Sequence, residues 1–204
     1  MSLSILLAIT LAHSPTPATD YLPHETKIAL IPVVNLSGET NTSGKEKQKA
    51  RGDEELHALF TERDFAVLPD DQVKAAMDEL HIDLTDEEQQ KRETLYKIGK
   101  KTGADLVVFA AITDVDQRRV AKVFVSSTEG YAKMKLWIVD AKQEAPIISG
   151  KSIQGSSKSG GWIEVGEKGS SRKLLAVANG LRDNTKDFFK PYPVVKKIVR
   201  SKVN

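Results

Sequence analysis

The sequence predicts an α/β fold: a mixed β-sheet whose parallel β-α-β core is extended by an antiparallel meander, with helices on its faces. Three observations carry this. Lys27–Asn35 (KIALIPVVN) and Asp105–Asp116 (DLVVFAAITDVD) are apolar on both sides, as doubly covered strands are. Helical apolar periodicity fills the interval between them. Three further strand patterns then follow without a ten-residue helical stretch between them, so they run antiparallel.

Each element has its own signal. After the first strand, Leu36–Lys45 (LSGETNTSGK) is a polar loop, and a helix is expected from about Glu46 to Arg63, with Leu56, Leu59 and Phe60 at helical spacing. Phe65–Leu68 is a short strand. Asp70 is placed to cap a second helix, whose Val73, Ala76, Met77 and Leu80 form one stripe. Thr85–Glu88 reads as a capping box opening a third helix, which buries Leu95 and Ile98 and ends at Gly103. The meander is expected as Arg119–Ser126, Tyr131–Asp140 and Ile147–Gly155, with Trp137 in the core. After a Gly/Ser loop, Ser170 or Ser171 caps a last helix carrying Leu174, Ala178, Leu181, Thr185 and Phe188 on one side. Lys190-Pro191-Tyr192-Pro193 stops it.

Domain organisation follows: a leader over 1–20, one α/β domain over 24–190 and a basic tail over 191–204. The apolar run Leu3–Ala12 is too short to span a bilayer, which takes about 20 residues. It reads as the hydrophobic region of a signal peptide cut near Ala18, so the chain is expected to be exported, in the periplasm. No Lys or Arg precedes the run, which implies a start further upstream or a clipped leader. The chain has 30 basic and 28 acidic residues, a net charge of +2, which argues against general nucleic-acid binding. Residues 190–204 carry five cations and no acid, leaving the rest at −3. With no cysteine there is no disulfide, thiolate metal site, thiol nucleophile or lipidation site.

No catalytic pattern is complete. Gly38-x5-Gly44-Lys45-Glu46 sits between a strand and a helix, as a phosphate loop does. Its glycine spacing is one residue too long, and Glu46 stands where Ser or Thr would ligate magnesium. Ser149-Gly150-Lys151-Ser152 has Ala145 in place of the leading glycine and lies within a strand. Ser170-x-x-Lys173 lacks the companion motifs of penicillin-recognising enzymes and reads as a helix cap. The four histidines, His13, His24, His57 and His81, share no metal-ligand spacing. Asp114 and Asp116 share a strand face, but nothing nucleophilic is tied to them.

"KIALIPVVNLSG", "RDFAVLP", "LYKIGKKTGADLVVFAAITDV" and "YAKMKLWIVDAKQEAPIISGKSIQG" together resemble the TolB amino-terminal domain, within a superfamily of cell-envelope proteins that includes CsgG-like and LpoB-like members. The family's Pro-aromatic-x-Asn-x-Ser-Gly stretch corresponds to Pro32–Gly38, with Val33 replacing the aromatic. Ile98-Gly99, Gly103-Ala104-Asp105 and Ile138-Val139-Asp140 correspond to its helix-to-strand joint and strand end. The resemblance spans about 27–155 and implies a stand-alone domain without propeller, pore hairpins or lipid anchor. It also implies an exported protein working by contact with other proteins.

The expected function is therefore that of a cell-envelope adaptor, without catalysis or cofactor, binding a protein partner through sheet edge, Gly/Ser loops and tail. Trp162, alone in the loop Ser156–Gly169, is a candidate anchor. Tyr192, Lys196, Lys197 and Arg200 in the tail are candidates for partner contact, self-association, or contact with anionic lipid or cell-wall polymer. Two alternatives stand beside this. One is a nucleotide-binding protein or enzyme using Asn35, Gly38, Gly44 and Lys45; the other is a non-lipidated oligomeric component of a secretion apparatus.

Overall fold

The computed structural model describes residues 21–122, 125–158 and 169–198. Strands β1 (Lys27–Leu30), β3 (Ala66–Val67) and β4 (Leu106–Lys122) are parallel, with β1 between the other two. β5 (Val125–Asp140) and β6 (Ala145–Lys158) continue the sheet antiparallel, giving the order β3-β1-β4-β5-β6. This is the predicted mixed sheet, and the two crossovers place β3 and β4 on opposite sides of β1.

The helices form two layers. α1 (Thr42–Thr61), α4 (Gly169–Asn184) and the short α5 (Lys186–Phe189) pack on one face, against Ile28, Leu106, Val108, Met134 and Leu136. α2 (Asp70–Glu79) and α3 (Arg92–Thr102) cover the other, against Ala29, Val107, Phe109 and Val139. Trp137 is in this second core, its ring stacked on Phe109 at 5.0 Å. Gly103, at φ +71°, ends α3 in the left-handed conformation that glycine adopts without steric cost.

Several boundaries differ from the sequence reading, each for a local reason. The first strand is interrupted: Pro32 has no N–H to give the ladder, and the N–H of Val33 turns to Asp53 Oδ1 at 2.6 Å. Pairing with β4 resumes at β2 (Val34–Asn35). α1 starts at Thr42, because Asn41 accepts from the Gly44 N–H and caps it. Asp70 is the first residue of α2 and makes no cap bond; Pro69 holds the cap position. Thr85 does not cap α3: its hydroxyl donates to Asp83, Asp86 caps a single 3₁₀ turn over Glu87–Gln89, and α3 begins at Arg92. Arg119–Ser126 is not a separate strand. β4 runs on to Lys122 and pairs with β5 from Leu106↔Asp140 to Lys122↔Val125, with one register shift at Thr113. The last helix breaks at Thr185, fully buried with its hydroxyl on the Leu181 carbonyl, so Phe189 rather than Phe188 becomes the fully buried ring.

α4 lies unusually close to the sheet. A Cβ on Gly155 of β6 would overlap the Ala176 carbonyl oxygen, and one on Gly180 would overlap Met134. The same helix is tied to α1 by Arg182, which donates two hydrogen bonds, 3.0 and 2.9 Å, to the fully buried Glu55 carboxylate. No helix among the described residues is long and apolar enough to cross a membrane.

Candidate functional site

Asn35 organises the loop after the first strand. Its Oδ1 accepts from the N–H and hydroxyl of Ser37, at 3.0 and 2.6 Å, and its Nδ2 donates to Gln48 Oε1 at 2.7 Å. The Asn-x-Ser stretch is thus a self-contained turn fastened to α1. Gly38 has open space around it. Gly44 lies in the first turn of α1, where its N–H is taken by Asn41 Oδ1 and that of Lys45 by the Asn41 carbonyl. A phosphate would find these amides engaged. Glu39, at the loop's crown, pairs with Lys173 of α4 at 2.6 Å, and that bond holds its carboxyl below the usual range.

Lys45 itself lines a crevice. β1 sends its connection to α1 on one face, while the adjacent β3 sends its connection to α2 on the other. The two helices therefore splay apart beyond the carboxyl ends of these strands, the place where open α/β sheets hold ligands. One cavity of about 570 Å³ lies there, lined by Pro32, Val33, Met77 and Leu84 and by charges of both signs, Lys45, Lys49 and Lys74 with Glu46, Asp78 and Asp83. A second, about 260 Å³, adjoins it and contains Asp53, His57 and Asp70; Pro32 and Lys74 line both. Burial pushes the Asp53 carboxyl up to about 6 against the lowering effect of the Val33 N–H, with Lys49 and Lys74 lowering it and Asp70 raising it. No group of three or more acidic, histidine or cysteine side chains suited to a metal occurs among the described residues.

At the other end of the sheet, a groove of about 520 Å³ runs between the start of β6 and the end of the last helix. Tyr21, Ile147, Ile148, Phe188 and Tyr192 line it. Tyr21 is fixed by its hydroxyl on Asp140 Oδ2 at 2.8 Å, and its N–H donates to the Tyr192 hydroxyl at 3.3 Å. The Tyr192 ring meets Phe65 edge-on at 5.2 Å, and its carbonyl accepts from Arg63 Nε. The chain then turns onto the end of α1, where the N–H groups of Val195 and Lys196 share the Glu62 carbonyl. Lys196 pairs with Asp64 at 3.4 Å, and Lys197 points to solvent. Trp162 and Arg200 lie outside the described residues.

The edge of β6 is guarded along its length. Outward carbonyls of Gln154, Ser156 and Lys158 accept from Asn184, Asn179 and Arg172, at 3.2, 2.9 and 3.3 Å. The earlier half carries two register shifts, Pro146, and Gly150 at φ +59°. Bulges, proline and capped carbonyls all discourage strand addition, so the groove offers a partner more than this edge does. Of the groove residues, the sequence reading offers only Tyr192 as a partner contact. Phe188 is expected only on one side of the last helix, and Tyr21 carries no signal, since nothing local announces a contact with a residue 171 positions away.

No protein-family model and no curated protein matches the chain. Among solved structures it is similar to lipoprotein GNA1162 from Neisseria meningitidis, with 17% identity and a TM-score of 0.45 over 81% of this chain and 99% of that one. It is similar to the LpoB C-terminal domain from Salmonella enterica, with 14% identity and a TM-score of 0.43 over 68% and 86%. A third is the hypothetical protein CT253 from Chlamydia trachomatis, at 11% identity and a TM-score of 0.43 over 81% and 94%. At this level the likeness is one of outline, and no property of those proteins passes to this chain through it.

Proposed function

We propose that the chain is an exported cell-envelope adaptor that binds a protein partner, without catalysis, through the aromatic groove between β6 and α5. The observation that carries this is the groove itself. Three aromatic side chains and two isoleucines, rimmed by Ser149, Lys151, Asn184 and Asp187, leave an open recess of about 520 Å³ at the surface. Tyrosines anchor partners well because they combine apolar area with a polar tip at small entropic cost. The apolar leader supports export, and the resemblance of the strand and loop motifs to envelope proteins agrees with it. The test is a photo-cross-linker at Ser149, on the groove rim, in cells producing the full chain. One protein partner should be captured, its yield lost with Ile148→Asp and kept with Lys197→Ala. Equal yields from both variants, or residence of the native protein in the cytoplasm alone, sink the proposal.

A further inference from the structure

The groove between β6 and α5 is also where the leader joins the domain. Tyr21 is the first of the described residues, and its N–H donates to the Tyr192 hydroxyl at 3.3 Å. Both tyrosines line the groove. The peptide group between residue 20 and Tyr21 is therefore part of the groove wall, and the chain before it departs from there. The Tyr21 hydroxyl, bonded to Asp140 at 2.8 Å, fixes that point of departure. Apolar surface gathers at the same place. Among the described residues the exposed large apolar side chains are Leu22, Val194 and Val195, each within three positions of Tyr21 or Tyr192. Ile147, Ile148 and Phe188 line the groove and are only half-buried. Exposed apolar surface clustered in this way marks a place that something else covers.

The sequence supplies a matching segment. Leu3–Ala12 (LSILLAITLA) carries six leucines and isoleucines and no charge. Residues 13–20 (HSPTPATD) separate it from Tyr21, a link that reaches about 26 Å when extended. So short a link holds the run near the groove at an effective concentration in the millimolar range. Burial of both apolar surfaces is then favoured by their withdrawal from water. We propose that in the uncut chain part of Leu3–Ala12 lies in this groove, against Ile147, Ile148 and Phe188, and covers it. Any protein partner must compete with that tethered occupant. A cut near Ala18 removes it, so partner binding begins only once the leader has gone. That consequence rests on the groove being the partner site; the leader contact itself does not.

The test uses the purified full chain, leader included. The chain has no cysteine, so an introduced pair reports on its own contact alone. Leu7→Cys is combined either with Ser149→Cys on the groove rim or with Lys197→Cys, exposed at the same end of the domain but not lining the groove. Under mild oxidation the first pair should close within one chain about tenfold faster than the second, read as fast-migrating monomer on a non-reducing gel. Adding Leu6→Asp and Ile9→Asp, both in the leader and so harmless to the core, should bring the first rate down to the second. Equal rates for the two pairs overturn the proposal. So do bonds formed only between chains, or a first rate unmoved by the two aspartates. Failure to capture a partner, with the rate difference intact, would sink the groove's partner role and leave the leader contact standing.

Discussion

The two helical layers are attached to the sheet in different ways. α4 is pressed onto β5 and β6 with its backbone against glycine, and it is bolted to α1 through Glu55. α2 buries only Val73 and Ala76 and leaves a cavity between itself and α1. The α4 contacts are backbone-close, while the space between α1 and α2 stays open at the carboxyl ends of β1 and β3.

Substitutions can break or sharpen that contrast. Phe60 is fully buried between Phe65 and Phe189, with ring centres at 5.5 and 4.9 Å. Phe60→Ala should cost about 4 kcal/mol in urea unfolding, the range of buried aromatic truncations. Glu55→Ala should cost about 2 kcal/mol, because Arg182 loses both its hydrogen bonds to α1 while Arg51 keeps Glu54 at 2.7 Å. Gly155→Val should cost about 2 kcal/mol or more by driving α4 off the sheet, and should raise dye binding to apolar surface.

On the open side the sign reverses. Asp53, titrating at about 6 when folded against 3.8 as a free side chain, binds more proton in the folded chain than in the unfolded one. Its contribution is therefore present below pH 4 and fades as pH rises through 6. Asp53→Asn keeps an acceptor for the Val33 N–H and escapes that loss. Relative to the parent it should gain about 2 kcal/mol between pH 4 and pH 7.5, read as a difference in urea midpoints. No gain would mean that water reaches the Asp53 carboxylate in the folded chain. Lys197→Ala, at a side chain in solvent, should leave the midpoint unchanged.

What was legible in the sequence divides along similar lines. The central strands were readable because they are apolar on both faces; the crossovers alone allow two strand orders, β3 and β4 flanking β1 or stacked in sequence. Gly103 announced its own conformation. The long β4–β5 hairpin was not readable. Asp116–Arg119 and Glu129–Gly130 have the composition of turns, yet cross-strand pairing overrides it, and Gly130 is there to admit the backbone of Arg172. The cap at Asn41 was hidden inside a run of equally good cap residues. The loop Leu36–Lys45 is legible as a loop, but what fastens Asn35 is not, since its Nδ2 donates to Gln48 inside the following helix. The groove depends on Tyr21 meeting Tyr192, a contact between the two ends of the chain that no local pattern encodes.

That meeting of ends bears on how the molecule comes into being. The ring of Phe60 is closed over by Phe189, and Ile28 finds its central neighbour only at Leu106. A polypeptide emerging amino end first, from a ribosome or through a narrow channel, therefore cannot complete its first core until Phe189 has passed. It would stay loose and threadable during that passage and close late, in one step. Contacts spaced this far along the chain make closure slow, so truncation before Phe188 should yield a collapsed but unfinished chain.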